Sequence, residues 1–219
     1  PFGIVLDYYH GAYSGFDGKK AFYHFDYNKG DEMTWKLIDM IWPCGWEVQG
    51  HNEMGTMVNG PYGDNFDILL QNAPEKLLNT YPCLILSGAI RFKKKEADKF
   101  ERYVKQGGTL LLNRAYLKYF PLFAEMDENA DIIEEPFGSG TVVIYGNTYE
   151  INGIDVILRD RIKKLIPFSI TEQLQYMVNV CKDRLLLTLI HNNGVTKDYL
   201  TPPEIDPKQA IIFSVTYTG

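Results

Sequence analysis

Clustered cations, paired cysteines, long apolar runs and cofactor signatures are all scarce in this 219-residue chain. Its 22 Lys and Arg are outnumbered by 28 Asp and Glu, for a formal net charge of −6. The one basic stretch is Lys93-Lys94-Lys95. It opens a predicted helix and reads as a solvated face, whereas nucleic-acid binding needs clustered cations that displace counterions from phosphates. Cys44, Cys83 and Cys181 are too few for a fully paired framework, and none sits in a CxxC. Cys83 lies within an apolar strand and reads as a small packed hydrophobe. No apolar run approaches the ~20 residues that span a bilayer. No signal peptide is present, and because Pro1 stands inside a strand-like run the chain is expected to be a piece of something longer.

Familiar catalytic and cofactor patterns are missing too. Gly11, Gly15 and Gly18 do not match the dinucleotide fingerprint, which needs a tight strand-to-helix turn, and here the helix begins much later. Phe137-Gly138-Ser139-Gly140 precedes a strand and is no phosphate cradle. His10, His24 and His51 share loops with Asp7, Asp17, Asp26, Glu53 and Asp64, but neither HExxH nor EF-hand spacing occurs. Neither a metal nor an organic cofactor is expected.

The hydrophobic pattern, in contrast, is explicit. Tyr81 to Asn113 reads as strand, loop, amphipathic helix, Gly-Gly stop and second strand, a complete βαβ unit. The helix over 94–106 puts Ala97, Phe100 and Val104 on one face, and Gly107 supplies a left-handed stop. Cys83–Leu86 and Thr109–Leu112 are continuous apolar strands of the kind buried on both sides of a parallel sheet. Upstream, the pattern predicts a strand over 2–8 and a loop of about twenty residues, long enough to be functional. A helix over 31–42 follows, capped by Asp31, with Met33, Leu37, Ile38 and Ile41 inward and Pro43 as its stop. Residues 45–65 read as irregular, 66–70 as a strand and 74–79 as a short helix. Downstream come a strand over 140–145, a helix over 156–165, a hairpin of 175–181 and 184–191 about Lys182-Asp183, and a strand over 210–217. The predicted fold is α/β: a doubly wound, mostly parallel, flavodoxin-like sheet with a C-terminal antiparallel β extension. Residues 1–150 are expected to form the α/β domain, and 151–219 a helix plus a small β extension, either completing that domain or standing as an appendage.

The run Leu84-Ile85-Leu86-Ser87-Gly88, a surface helix and then Gly107-Gly108-Thr109-Leu110-Leu111-Leu112 resembles the class I glutamine-amidotransferase-like fold. The specific resemblance is to the non-catalytic version behind the barrel of some glycoside hydrolases, as in the β-galactosidase trimerisation domain. Asp7-Tyr8-Tyr9-His10-Gly11-Ala12-Tyr13 and Met57-Val58-Asn59-Gly60-Pro61-Tyr62-Gly63-Asp64 also resemble bacterial polysaccharide-degrading multidomain proteins. The fold resemblance covers about residues 2–145. True amidotransferases place a cysteine just after the strand that here ends at Asn113. Here Asn113-Arg114-Ala115 stands in that turn, without the thiol or hydroxyl that a nucleophile requires. The resemblance therefore implies a degenerate nucleophile turn and no catalytic residue in this chain.

Residues 8–46 hold eleven of the thirty aromatics, including Trp35, Trp42 and Trp46. Several lie in the long first loop, which leaves the carboxyl edge of the sheet, where such folds take ligands. Aromatic faces beside carboxylates and amides suit pyranose rings, a partner's surface or simple packing. The expected role is that of an accessory domain of a putative bacterial glycoside hydrolase. In a bacterial glycoside-hydrolase parent it would pack on a catalytic barrel of the same chain or on another subunit and shape a carbohydrate cleft. Tyr9, His10, Tyr13, His24, His51, Asn52, Glu53 and Tyr62 are the residues expected at that surface. The alternative is an autonomous hydrolase or carbohydrate-binding domain using the same loops. Expected partners exclude nucleic acid, no membrane span is predicted, and the resemblance leans toward a periplasmic or extracellular parent.

Overall fold

The computed structural model describes residues 1–7, 20–21, 25–26, 28–41, 62–128, 130–170, 175–190, 195–196, 204–205 and 212–217. For 20–21, 25–26, 175, 195–196 and 204–205 it describes the backbone alone. The chain divides into two compact units, Pro1–Leu37 with Phe66–Val156, and Ile38–Asn65 with Ile157–Gly219.

In the first unit, β1 (Phe2–Leu6) is followed by a short antiparallel pair, β2 (Lys20–Ala21) and β3 (Phe25–Asp26), and by α1 (Lys29–Ile41). Then come β4 (Phe66–Leu70), α2 (Glu75–Leu78), β5 (Cys83–Leu86), α3 (Lys94–Lys105) and β6 (Thr109–Asn113). A 3-10 turn over Arg114–Tyr119 and α4 (Pro121–Ala124) lead to the hairpin of β7 (Ile132–Phe137) and β8 (Gly140–Tyr145). The six-stranded sheet has the order β4-β1-β5-β6-β8-β7. β4, β1, β5, β6 and β8 run parallel, and β7 is antiparallel at the edge. The chain moves outward from β1 to β4, then back to β5 and onward to β6, so right-handed crossovers place α1 on one face and α2 and α3 on the other. This is the flavodoxin-like arrangement, with its switch point between β1 and β5.

Strand side chains alternate between the two faces. Val5, Leu84, Leu86, Leu110, Leu112, Val142 and Ile144 join the core under α3, together with Ala97, Phe100 and Val104 of that helix. Ile4, Ile85, Leu111 and Val143 point the other way and are equally inaccessible. The continuous apolar runs of these strands follow from that double burial. On the α3 side the core is aromatic: Phe92 lies 5.3–6.1 Å, centroid to centroid, from Phe100, Tyr116, Tyr119 and Phe120, all edge-on.

Two local expectations are corrected. The N-cap of α1 is Asn28, whose side-chain oxygen accepts from the Gly30 and Asp31 amides at 2.8 and 3.2 Å. Asp31 returns the bond, accepting from the Asn28 amide at 2.9 Å, which makes it the third-residue partner of a capping box and not the cap. Of the strand expected over 210–217, residues 212–214 are irregular and Val215–Tyr217 form the strand, while 210–211 lie outside the described residues. Elsewhere Gly107 takes φ +115° after α3, and Gly140 has backbone on two sides: a Cβ there would meet the carbonyl oxygens of Val104 and Gly108 at 2.2 and 2.3 Å. α3 and the sheet approach that closely because both glycines are bare.

α5 (Ile154–Leu165) leads into the second unit, where β9 (Phe168–Ile170) pairs antiparallel with the C-terminal strand. β10 (Gln175–Cys181) and β11 (Arg184–Ile190) form the predicted hairpin, with Lys182 at φ 59° in its turn. β12 (Val195–Thr196) pairs with β13 (Glu204–Ile205), and β14 (Val215–Tyr217) is the partner of β9. Among the described residues no helix is long and apolar enough to cross a membrane.

The Phe92 cluster yields a stability prediction. Phe92 is 8% exposed and touches four rings, so Phe92→Ala is expected to lower unfolding free energy by about 3–5 kcal/mol. Urea titration followed by circular dichroism measures this; a loss under about 1 kcal/mol would mean the rings close over the gap.

Candidate functional site

The carboxyl ends of β1, β5, β6 and β8 bring together Asp7, Ser87-Gly88, Asn113-Arg114 and Tyr145-Gly146. In open α/β sheets this edge takes the ligand. At the switch point the groups are engaged with each other. The Ser87 and Thr34 hydroxyls are 2.9 Å apart, and Thr34 also bonds the Gly30 carbonyl at 3.2 Å. Gly30 lies so close to the next loop that a Cβ would meet the Ala89 nitrogen at 2.5 Å. The first turn of α1 thus lies directly on the Gly88–Ala89 backbone. Gly88 itself takes φ +96°, and its carbonyl accepts from the Tyr116 hydroxyl at 2.6 Å. Asp7, 6% exposed, ends β1 beside this turn.

Asn113 ends β6, the position where the resemblance leads one to expect a nucleophile, and it is fully buried. Its side-chain oxygen accepts from the Ala115 amide at 3.0 Å and the Tyr149 amide at 2.9 Å. Its nitrogen donates to the carbonyls of Tyr145, Asn147 and Glu150 at 3.4, 2.9 and 2.7 Å. The side chain is therefore the N-cap of the 3-10 turn and the clamp on the loop after β8. Arg114 continues the latch. Its guanidinium forms a two-pronged ion pair with Asp127 (closest approach 3.0 Å) and donates to the carbonyls of Gly146 and Ala130. The pair is largely shielded, with side-chain exposures of 13% and 14%. Ala115 is buried. An amide saturated by backbone partners offers no lone pair for attack and no proton for transfer.

Two buried phenols lie at the same edge. Burial drives the Tyr116 phenol well above the ordinary tyrosine value of 10.0, and nearby Tyr145, Tyr149, Asp7 and Tyr119 add to the shift. Burial also raises Tyr145, whose hydroxyl has no hydrogen-bond partner among the described residues. Both stay protonated through neutral pH, so they bring no charge to the site.

Of the residues expected at a ligand or partner surface, Tyr9, His10, Tyr13, His24, His51, Asn52 and Glu53 lie outside the described residues. Tyr62, expected beside them on that surface, is buried instead, at 1% exposure. In the second unit the Arg159 guanidinium covers its ring at 5.4 Å. The Tyr62 carbonyl accepts from Asn65 at 2.7 Å, and the Asp64 amide donates to the Tyr176 carbonyl at 2.7 Å. Gly63, at φ +67°, leaves room for the Tyr176 ring, which a Cβ would meet at 2.5 Å. The segment 62–65 is thereby a packed corner. Among the described residues no group of three or more His, Cys, Asp or Glu is placed to hold a metal ion.

Sequence reading singled out Asn113 as a missing nucleophile but did not reveal it as a clamp. Its partners lie 32–37 residues downstream, beyond the reach of any local pattern. The Ser87–Thr34 and Tyr116–Gly88 contacts went unnoticed for the same reason. No family model matches this chain, and no curated protein matches it.

Asn113→Ala removes both halves of the clamp and leaves buried peptide groups unpaired, a loss of about 2–5 kcal/mol by urea unfolding. Asn113→Asp keeps the shape but turns an acceptor toward three carbonyls, and is expected to recover less than half of that loss. A near-neutral Asn113→Ala would show that water replaces the amide. The raised phenols set an alkaline limit. Below about pH 10 folded and unfolded states hold the same phenol protons; above it the unfolded chain releases them first. Stability is then flat from neutrality to about pH 10 and falls beyond it, and spectrophotometric titration should show part of the tyrosines ionising only as the chain unfolds.

Proposed function

We propose that this chain is a non-catalytic accessory domain of a glycoside-hydrolase-like parent, packing on a catalytic domain of that parent or on another subunit and shaping a carbohydrate cleft with its aromatic loops. The observation carrying the reading is Asn113: at the turn where the resembled amidotransferases need a thiol, this chain has an amide whose donor and acceptor sides are spent on the backbone. Installing a nucleophile at that position would remove the clamp, so structure and glutaminase chemistry compete for one side chain. The engaged Ser87–Thr34 pair and the close seat of α1 on Gly88–Ala89 support the same reading, because the switch-point groups are directed at each other.

The work then falls to the loops that carry the aromatic and histidine residues. Tyr9, His10, Tyr13, His24, His51, Asn52 and Glu53 offer flat apolar faces, amides and one carboxylate, a set that can cover the C–H face and hydroxyl rim of a pyranose or the equally mixed surface of a partner domain. No cofactor or metal enters this role.

Two measurements test it. The 219-residue chain should turn over neither glutamine nor aryl glycosides. Tyr13→Ala and His51→Ala, placed in the parent protein, should each reduce its sugar turnover several-fold while leaving the far-ultraviolet spectrum of the domain unchanged. Turnover by the isolated chain that one histidine substitution abolishes, or parent activity and assembly indifferent to both loop variants, would sink the accessory role.

A further inference from the structure

The amino edge of the main sheet holds a cleft that has no part in the carboxyl-edge site. It measures about 400 Å³, within the ~300–1,000 Å³ typical of small-ligand sites. One wall is the segment 79–82, which leads from α2 into β5. The other is the end of α3, with Tyr103, Gln106, Gly107 and Gly108. The cleft belongs wholly to the first unit. Its floor is fixed by hydrogen bonds. The Thr109 amide donates to the Pro82 carbonyl at 3.0 Å, tying the starts of β5 and β6 together. The Tyr103 hydroxyl donates to the carbonyls of Tyr81 and Thr109 at 3.0 and 3.2 Å. The Tyr103 ring fills the place of a Gly108 side chain, since a Cβ there would meet it at 2.1 Å.

The lining decides what kind of ligand fits. Among the described residues that form it, there is no carboxylate, ammonium or guanidinium, so an ion would find no counter-charge. The main-chain amides are spent as well. Those of Asn79, Thr80 and Tyr81 donate to the Glu75, Leu77 and Leu78 carbonyls, and those of Gln106, Gly107 and Gly108 to Arg102, Val104 and Tyr103. These walls therefore offer an anion no converging N–H groups. Polar recognition is left to two exposed side-chain amides. Asn79 donates through Nδ2 to Gln106 Oε1 at 2.9 Å, which orients both. That bond leaves the Asn79 oxygen to accept and the Gln106 nitrogen to donate, side by side. Vicinal hydroxyls match such a pair, one donating and its neighbour accepting. Next to it, partly buried Tyr81 and exposed Pro82 supply apolar surface for a C–H face. Tyr81 is held in place, because its hydroxyl donates to Asp67 at 3.0 Å. We propose that this cleft binds a neutral pyranose through a vicinal diol, with Asn79 and Gln106 as the recognition pair.

The site is independent of the accessory role, since a chain of any activity could carry it. Two-dimensional NMR of the whole chain, titrated with glucose, galactose and mannose to about 50 mM, tests it. At least one hexose should shift the amides of Gly107 and Gly108 and the side-chain amides of Asn79 and Gln106, saturating with roughly millimolar affinity. Tetrahydropyran, inorganic phosphate and ethylammonium at the same concentration should not. Asn79→Ala combined with Gln106→Ala should weaken binding about tenfold or more with an unchanged far-ultraviolet spectrum. Gln106→Glu keeps the shape and the acceptor but removes the donor, and should weaken binding about threefold or more. This second variant decides if the first fails to fold. Silence of these signals with all three hexoses, equal shifts from the three control compounds, or variants that bind as the unaltered chain does overturns the site. Hexose shifts confined to residues 8–61 overturn it too and leave the accessory role standing. Tyr13→Ala and His51→Ala in the parent do not touch this cleft, so the two ideas fail separately.

Discussion

The carboxyl edge of the sheet is held by one side-chain amide. Asn113 stands where β6 ends, and its five hydrogen bonds reach the 3-10 turn that follows and the loop that leaves β8. Each is a bond to the main chain, so the amide substitutes for the ladder that stops there. A side chain with donors and acceptors on one short stem is needed, and only Asn has both at this length. Cysteine and serine present one polar atom and would leave several buried peptide groups unpaired. The requirement for the clamp thus excludes a cysteine or serine nucleophile at this position.

The switch point shows the same inward economy of polar groups. Ser87 and Thr34 satisfy each other, Tyr116 reaches across to the Gly88 carbonyl, and Arg114 ties Asp127 to the Gly146 loop. Groups that would face a ligand in an open crevice are here directed at neighbouring elements. Two phenols raised by burial and kept neutral complete an edge with little charge to offer.

How far the fold was legible in sequence depended on where each signal lay. The continuous apolar runs of β5, β6 and β8 and the face of α3 were readable because double burial and helical period leave local traces. The hairpin about Lys182-Asp183 was readable for the same reason. β7 was missed: Ile-Ile-Glu-Glu-Pro-Phe lacks alternation and contains a proline, a composition that speaks against a strand but suits an edge. Asp31 was read as a cap because an acid before an apolar stripe is the usual sign, yet the true cap, Asn28, stands one turn earlier. At the site, the turn at 113–115 was legible as lacking a nucleophile. The clamp was not, since hydrogen bonds between residues more than thirty positions apart leave no local pattern. Tyr62 was misread because an aromatic in a glycine-rich stretch looks exposed, while Gly63 in fact admits the Tyr176 ring and packs the corner.

The second unit follows a different rule from the first. The first distributes its stability over four parallel strands buried on both faces, β1, β5, β6 and β8, and a cluster of interlocked rings, so their backbone bonds are shielded from water. The second is made of two-stranded pairs, which rarely stand alone in water. In the longest of them the register sets Tyr176, Val178 and Val180 against Leu189, Leu187 and Leu185 on one face. Val180 and Leu185, at the turn end of that face, remain 76% and 42% exposed, whereas Tyr176 at its far end is buried. Burial thus declines along a single hairpin toward Lys182-Asp183, and resistance to local opening must decline with it, because both depend on the apolar area withdrawn from solvent. The parallel sheet carries the structure, and the hairpin draws its order from its buried end.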